Sequence, residues 1–310
     1  MLVKLNTFLQ KWMAILTPLS LVIGVIFESV GQHLLFLVAW LFALMTFISS
    51  LNMKFQDAKV FVRYPKTILV VILFLHILMP LWAFFLSTII FNDTLLMIGF
   101  VLSVAVPTGV TSIIWVTISR GNIPLSLAII LIDTLLAPIL MPLIIEVVAG
   151  QTIHIDMKSL ILDLVWMVVV PSIVGIILNE KTNGAIHRNL NPYLAPISKL
   201  CLFAVVMINS SAIAPFLKNI TLELLLVILV VFIIAVSGYI FAFLLCKILW
   251  ADDFETRTAF LFTAGMRNIA LGVVIATTYF PSKVAMPIVF GMLFQQLLAS
   301  IVFRYNKKFT

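Results

Sequence analysis

The chain has 310 residues, of which 63% are hydrophobic and 10% are charged, and its formal net charge is +7 at pH 7. Soluble domains carry roughly 25% charged residues, so this composition excludes a soluble globular protein. Apolar runs of about 20 residues, the length that one transmembrane helix needs, follow one another along nearly the whole chain. A transmembrane β-barrel would instead show alternating segments of about ten residues. The sequence therefore predicts an all-α polytopic membrane protein.

Ten transmembrane spans are predicted in chain order. The first follows Lys4 and Lys11 and superficially resembles a signal peptide, but no small-residue cleavage site comes after it. It is therefore interpreted as a transmembrane helix. The predicted spans are 13–28, 32–52, 67–90, 95–119, 123–148, 159–179, 195–213, 222–249, 254–279 and 283–303.

The basic residues indicate how these spans are oriented. If both termini are cytoplasmic, 15 of the 19 basic residues lie on the cytoplasmic side, three lie outside, and Arg267 falls within the membrane. This asymmetry fits the positive-inside rule. The excess positive charge is thus explained by topology and does not indicate a nucleic-acid partner. We expect a multi-pass protein of the cell (inner or plasma) membrane with both termini in the cytoplasm.

Two interrupted spans point to a binding site. Each half of the chain, 1–150 and 151–310, contains five predicted spans, and this odd number would invert the second half relative to the first. The fourth and ninth spans are then equivalent, and Pro107 and Gly109 interrupt one while Gly265 interrupts the other. Unwound segments free backbone groups and half-helix ends for ligands. Breaks at matching positions therefore predict a site near the middle of the membrane.

The residues at these breaks carry a family resemblance. They are Pro107-x-Gly109-x-x-Ser112, Arg120-Gly121-Asn122, Ser126, Thr134-Leu-Leu-Ala-Pro138 and Gly265-Met266-x-Asn268, together with Met79-Pro80 in the third span. On these residues the chain resembles the bile acid:sodium symporter family. The resemblance implies ten helices in two inverted five-helix repeats, arranged as a panel and a core domain, with broken helices 4 and 9 crossing in the core. It also implies a transporter that is not an enzyme, with these substrate-binding candidates: Pro107, Gly109, Val110, Ser112, Asn268, Gln295 and Gln296.

The positions that hold sodium in sodium-coupled members of that family are altered here. They correspond to Leu75, Ser112, Ile113, Ser126, Ile130, Asp133, Thr263 and Arg267. Thr263 stands at a family glutamate and Arg267 at a family glutamine. A hard cation needs several oxygen ligands, and a fixed guanidinium repels sodium. The sodium sites are therefore expected to be lost, and no cofactor or resident metal is expected.

Asp133 is an additional intramembrane charge in this region. It shares one helix face with Ser126 and Ile130, because the three are spaced by four and three residues. Ionisable groups within a membrane normally find a partner, so Arg267 is predicted to pair with Asp133 and to replace the cation. Two other roles for Arg267 stay open, namely bidentate binding of an anionic substrate and a structural role at the end of the span.

The predicted function is secondary transport of a small organic anion or amphipathic metabolite by alternating access, without dependence on sodium. The expected partners are this small molecule and the lipid bilayer, with no nucleic acid and no obligatory protein partner. One alternative is a sodium- or proton-coupled symporter of the family type. Another is an intramembrane aspartyl protease, although neither Asp133 nor Asp163 lies in a Gly-x-Gly-Asp context.

Overall fold

A computed structural model describes residues 2–150, 155–218 and 221–306. Over these ranges the regular secondary structure is helical, apart from one isolated antiparallel bridge between Thr108 and Arg267. Six helices are long and apolar enough to cross a membrane, and two bent pairs raise the number to eight if each pair forms one span. The prediction of an all-α polytopic protein is confirmed.

The helices of the first half lead into the first broken span. They are α1 (Leu2–Ile26), α2 (Glu28–His33), α3 (Phe36–Ser50), the short α4 (Val60–Arg63), α5 (Pro65–Ile90), α6 (Thr94–Ala105), α7 (Ser112–Ile118) and α8 (Ile123–Ala149). A π turn at Phe74–Leu78 interrupts α5 just before Met79 and Pro80. Pro80 has no backbone N–H, so a regular helix would lose a hydrogen bond here in any case.

The helices of the second half follow a similar course. They are α9 (Met157–Lys181), α10 (Ala185–Leu217), α11 (Leu222–Leu249), α12 (Phe254–Gly265), α13 (Ile269–Tyr279) and α14 (Ala285–Asn306). A second π turn, Val165–Val169, precedes Pro171 in α9. Along its length α1 packs on α10, while α14 packs on α6, α11 and α13.

Both helix breaks have local causes. Val106 is extended, with φ −62° and ψ 147°, because the proline that follows it disfavours the helical conformation. Pro107 therefore ends α6. At the second break, a Cβ added to Gly265 would overlap the ring of Tyr239 on α11, so only glycine lets the two approach. The breaks thus follow from one proline and one glycine.

The burial pattern suits a lipid environment. Large apolar side chains such as Val147 (83% exposed) and Trp40 (75%) lie on the outside of the helices. In contrast, the polar residues Ser126, Asp133 and Thr263 are fully buried. Polar side chains that face the bundle interior are the usual arrangement within a membrane, where they mark sites and pathways.

Candidate functional site at the helix crossing

The two unwound segments meet in the interior and bind each other through the backbone. The N–H of Gly109 donates to the carbonyl of Met266 at 2.9 Å, and the N–H of Asn268 donates to the carbonyl of Pro107 at 2.7 Å. These reciprocal bonds form the antiparallel bridge between Thr108 and Arg267. The two breaks that the sequence predicts are therefore brought together at a single crossing.

A side-chain oxygen binds the backbone at each side of this crossing. The N–H of Thr108 donates to Asp133 Oδ2 on α8 at 2.6 Å. Likewise, the N–H of Arg267 donates to Gln295 Oε1 on α14 at 2.9 Å. Asp133 and Gln295 thus occupy matching places, each satisfying a buried amide that an unwound helix leaves without a partner. Both side chains fix the position of the crossing.

The second oxygen of Asp133 contacts His76 rather than Arg267. His76 Nε2 lies 2.5 Å from Asp133 Oδ1, and both residues are buried. Among the ion pairs of the described residues, none joins Asp133 to Arg267. The predicted Arg267–Asp133 pair is therefore wrong. Thr108 and His76 contact the two carboxylate oxygens instead.

His76 is the residue of this site that the sequence reasoning missed. It stands next to Leu75, the position where the family resemblance implies a cation ligand. Both residues lie in the π turn of α5, whose extra residue changes which side chains face the crossing. The only available signal was that Asp133 needs a partner and that His76 is another ionisable residue within a predicted span.

A cavity of about 470 Å³ lies beside the crossing. Of the predicted substrate-binding residues, Gly109, Val110, Asn268, Gln295 and Gln296 line it. Most of the remaining lining is apolar, from α1, α3, α8, α10 and α13. A concave, mostly apolar cavity with a few polar groups is the usual form of a small-molecule site.

The other two candidates, Pro107 and Ser112, do not line this cavity. Pro107 supplies a carbonyl to the crossing, and the buried hydroxyl of Ser112 has no hydrogen-bond partner among the described residues. Gln295 and Gln296 are adjacent on α14. Both line the cavity, and Gln296 Oε1 also accepts a hydrogen bond from Trp115 Nε1 at 3.2 Å.

The charged residues of the cavity lining are Arg267 and Lys199, and no aspartate or glutamate is among its described lining residues. Lys199, on α10, donates to Asn6 Oδ1 on α1 at 2.6 Å. In the sequence, Lys199 is counted only as one of the basic residues on the cytoplasmic side. A concave surface with charge of one sign concentrates ions of the opposite sign.

Comparison with known proteins decides the family. The family profile described as "Sodium Bile acid symporter family" matches residues 38–243, more than half of the chain. The chain belongs to the bile acid:sodium symporter family. A relative of this symporter-family chain in Bacillus subtilis (strain 168), described as "Uncharacterized protein YbaS", is 42% identical over 290 residues, covering 93% of this chain and 94% of the relative.

Two further relatives of this family member carry transporter names. The "Uncharacterized sodium-dependent transporter YocS" of Bacillus subtilis is 26% identical over 309 residues, and the match covers 98% of this chain and 94% of the relative. The "Probable sodium/metabolite cotransporter BASS1, chloroplastic" of Arabidopsis thaliana is 29% identical over 259 residues, covering 82% of this chain and 62% of its own. Together with the family match, these names indicate a membrane transporter rather than an enzyme.

The positions that the family resemblance aligns with sodium ligands carry few side-chain oxygen atoms in this member. Leu75, Ile113 and Ile130 are aliphatic. The hydroxyls of Ser126 and Thr263 donate to carbonyls of their own helices, those of Asn122 at 3.0 Å and Ala259 at 2.8 Å. Asp133 has a partner at each carboxylate oxygen, and the hydroxyl of Ser112 has no partner among the described residues. Sodium needs several oxygen ligands.

Arg267 is the remaining residue of this set, and it is buried beside the crossing. Arg267 is only 6% exposed, and its Nη1 and Nη2 have no hydrogen-bond partner among the described residues. A guanidinium has five N–H donors and no acceptor. A positive charge therefore lies buried beside the crossing, and its Nη1 and Nη2 donors are without a partner among the described residues.

Other polar contacts lie away from the cavity. Tyr279 Oη donates to Asp163 Oδ2 at 2.5 Å, which connects α13 to α9. Asp163 and Asp133 thus have separate hydrogen-bond partners. Lys283 Nζ lies 2.7 Å from Asp93 Oδ2 and 2.5 Å from Glu223 Oε1.

Proposed function

We propose that this chain is a secondary transporter of small organic anions that does not depend on sodium. The observation that supports this most strongly is the buried guanidinium of Arg267 at the helix crossing. It lies among positions whose sodium ligands are replaced by Leu75, Ile113, Ile130 and Thr263. A fixed positive charge in a low-dielectric site repels sodium strongly and makes a bound cation unnecessary.

The negative charge of the substrate is inferred from the lining of the cavity of about 470 Å³. Lys199 and Arg267 give this cavity a positive potential, and no acidic residue is among its described lining residues. The amides of Asn268 and Gln296 offer hydrogen bonds to a carboxylate or a similar group. The apolar part of the lining suits the hydrocarbon part of an amphipathic metabolite.

Transport is proposed to proceed by alternating access around the crossing. The reciprocal bonds between the two breaks have local two-fold symmetry, which supports two inverted repeats, 1–150 and 151–310. The cavity lining includes Asn52 and Asn191, at the ends of α3 and α10 that the basic residues assign to the cytoplasm. We therefore interpret this state as inward-facing, in a cell membrane with both termini cytoplasmic.

The test is transport in proteoliposomes prepared with potassium salts alone. Exchange of labelled carboxylates is measured with a panel led by benzoate, against liposomes without protein. We expect exchange without sodium and its loss in Arg267→Gln. Lys283→Gln is the matched control, because Lys283 binds Asp93 and Glu223 away from the cavity. Exchange that requires sodium in the external buffer would contradict the proposal.

Proton-coupled symport is the second candidate, and the buried His76–Asp133 contact favours it. Histidine and aspartate within membrane helices form the proton relays of pumps and transporters. Charged or titratable residues on the helices that carry this contact or pack against them include Lys66, Glu146, Glu255, Arg257, Arg267 and Tyr239. A protonophore would then lower anion accumulation in sodium-free liposomes, and it would leave accumulation unchanged if the carrier works by exchange.

A further inference from the structure

A second, smaller cavity of about 50 Å³ lies within the helix bundle, next to the crossing. Residues of α5, α6, α11, α12, α13 and α14 line it, and Arg267 lines both this cavity and the larger one. Tyr239, Ser103, Gly265 and Gln295 are also among its lining residues. Neither the family resemblance nor the proposed transport cycle assigns an occupant to this space.

Three buried polar atoms at this cavity have no hydrogen-bond partner among the described residues. They are Nη1 and Nη2 of Arg267 and Oη of Tyr239. Both residues are only 6% exposed. Buried polar groups are nearly always satisfied, and leaving one unsatisfied costs about 1–3 kcal/mol, or more when the group is charged. Such a concentration of free groups indicates a ligand.

The chemistry of these groups selects an acceptor with negative charge. The guanidinium can only donate hydrogen bonds, and the hydroxyl of Tyr239 can donate as well. Gln295 Oε1 is already bound to the N–H of Arg267, so its amide nitrogen is a further donor. No carboxylate is among the described lining residues of this cavity, and the nearby Asp133 is held by His76 and Thr108.

The size of the cavity restricts the ligand to a small ion. One water molecule takes up about 30 Å³ in the liquid, so a space of about 50 Å³ has room for one halide ion or for one or two waters. The carbon part of an organic anion would not fit, although a carboxylate that reaches in from the larger cavity could approach Arg267.

We propose that the smaller cavity binds a small inorganic anion of the size of chloride, held by Arg267 and Tyr239. The inference rests on the proposed role of Arg267 as the fixed positive charge at the crossing. Where sodium-coupled family members bind a cation, this chain would have a built-in cation and bind its counter-ion. The anion would offset part of the cost of holding the guanidinium within the membrane.

The first test is thermal unfolding of the purified full chain in potassium chloride, bromide or methanesulfonate at equal ionic strength. A ligand that binds only the folded state stabilises it in proportion to the logarithm of its concentration above Kd. We expect chloride and bromide to raise the unfolding midpoint relative to methanesulfonate, which is too large for the cavity. The shift should vanish in Arg267→Gln and shrink in Tyr239→Phe, which keeps the ring and removes the hydroxyl.

Lys199→Gln is the matched control, because it removes the other cation of the larger cavity and leaves the smaller one intact. It should keep the full halide shift. Equal midpoints in the three salts would overturn the proposal and leave water as the occupant. A halide shift that persists in Arg267→Gln, or disappears in Lys199→Gln, would place the ion elsewhere and would also overturn it.

Two further comparisons distinguish failure of this inference from failure of the proposed function. If potassium benzoate raises the unfolding midpoint in a way that depends on Arg267 and Tyr239, and halides have no effect, these donors bind a substrate carboxylate. That result would overturn the halide site. A sodium-specific shift between sodium and potassium chloride would refute sodium independence but leave the halide comparison readable. If Arg267→Gln does not fold, crystals of the unaltered protein in bromide should show an anomalous peak beside Arg267 and Tyr239, and its absence would count against the site.

Discussion

Replacing Gly109 by alanine should force the two broken helices apart. A Cβ at this position would lie 2.8 Å from the carbonyl oxygen and 3.1 Å from the carbonyl carbon of Arg267. Both atoms belong to the backbone of the opposite segment, so neither can rotate away as a side chain could. The two segments must therefore move apart to remove the overlap. This movement lengthens the hydrogen bonds from Gly109 to Met266 and from Asn268 to Pro107.

The cost follows from these contacts. Overpacking of a close-packed interior costs about 1–3 kcal/mol. Each weakened backbone bond adds up to about 1 kcal/mol. Since both bonds are short and buried, we expect Gly109→Ala to destabilise the protein by about 2–4 kcal/mol, mainly through the crossing. Transport should fall with stability, because the cavity shares Gly109 and Asn268 with the crossing.

Thermal and denaturant unfolding of the detergent-solubilised protein measure this effect. Gly291→Ala is the matched control, because its added Cβ meets only Ile269 Cδ1, at an ordinary 3.5 Å. In a helix interior that change should be neutral or slightly stabilising. The reasoning is refuted if Gly109→Ala unfolds like the unaltered protein, or if the Gly291 control loses as much stability.

Three further predictions concern the charges. Asp133→Asn should lower the free energy of unfolding by about 1–3 kcal/mol, because an amide cannot accept from both present neighbours; denaturant titration measures this, and an unchanged midpoint would contradict it. The double variant Thr263→Glu, Arg267→Gln restores two family sodium ligands and should gain a sodium-specific rise in Tm, whereas Arg267→Gln alone should not. Burial would raise the pKa of Asp93, but hydrogen bonds from Lys283 and from backbone amides outweigh it and hold the pKa below its ordinary 3.8. The stabilisation from ionised Asp93 is therefore complete above pH 3.8 and is lost as the pH falls below it. Asp93→Asn should remove this loss from the dependence of unfolding free energy on pH.

The positions of the helices and their breaks could be predicted because they depend on local chemistry. Apolar runs determine the spans, Pro107 ends a helix wherever it lies, and Gly265 permits a close approach that another residue would block. The residues of the crossing followed from these breaks and from the family resemblance. Five of the seven substrate-binding candidates line the larger cavity, and their role in binding stays a prediction.

The pairing of charges could not be predicted because it depends on packing between distant helices. The π turn of α5 alters the helical register, so the period of 3.6 residues does not show that His76 faces Asp133. Tyr239 is 28 positions away from Arg267 in the sequence and meets it only through the contact of α11 with Gly265. Six helices contribute residues to the smaller cavity, so no single segment of the sequence indicates it.

Independence from sodium is the central claim, and thermal unfolding tests it most directly. The purified protein is heated in sodium, potassium or choline chloride at equal chloride concentration and ionic strength, so that any halide effect is constant. An occupied sodium site would stabilise the folded state by mass action. The account predicts the same unfolding midpoint in the three salts, because the guanidinium of Arg267 already supplies the positive charge at the crossing. A higher midpoint in sodium alone would contradict it and would show that the chain retains a sodium site.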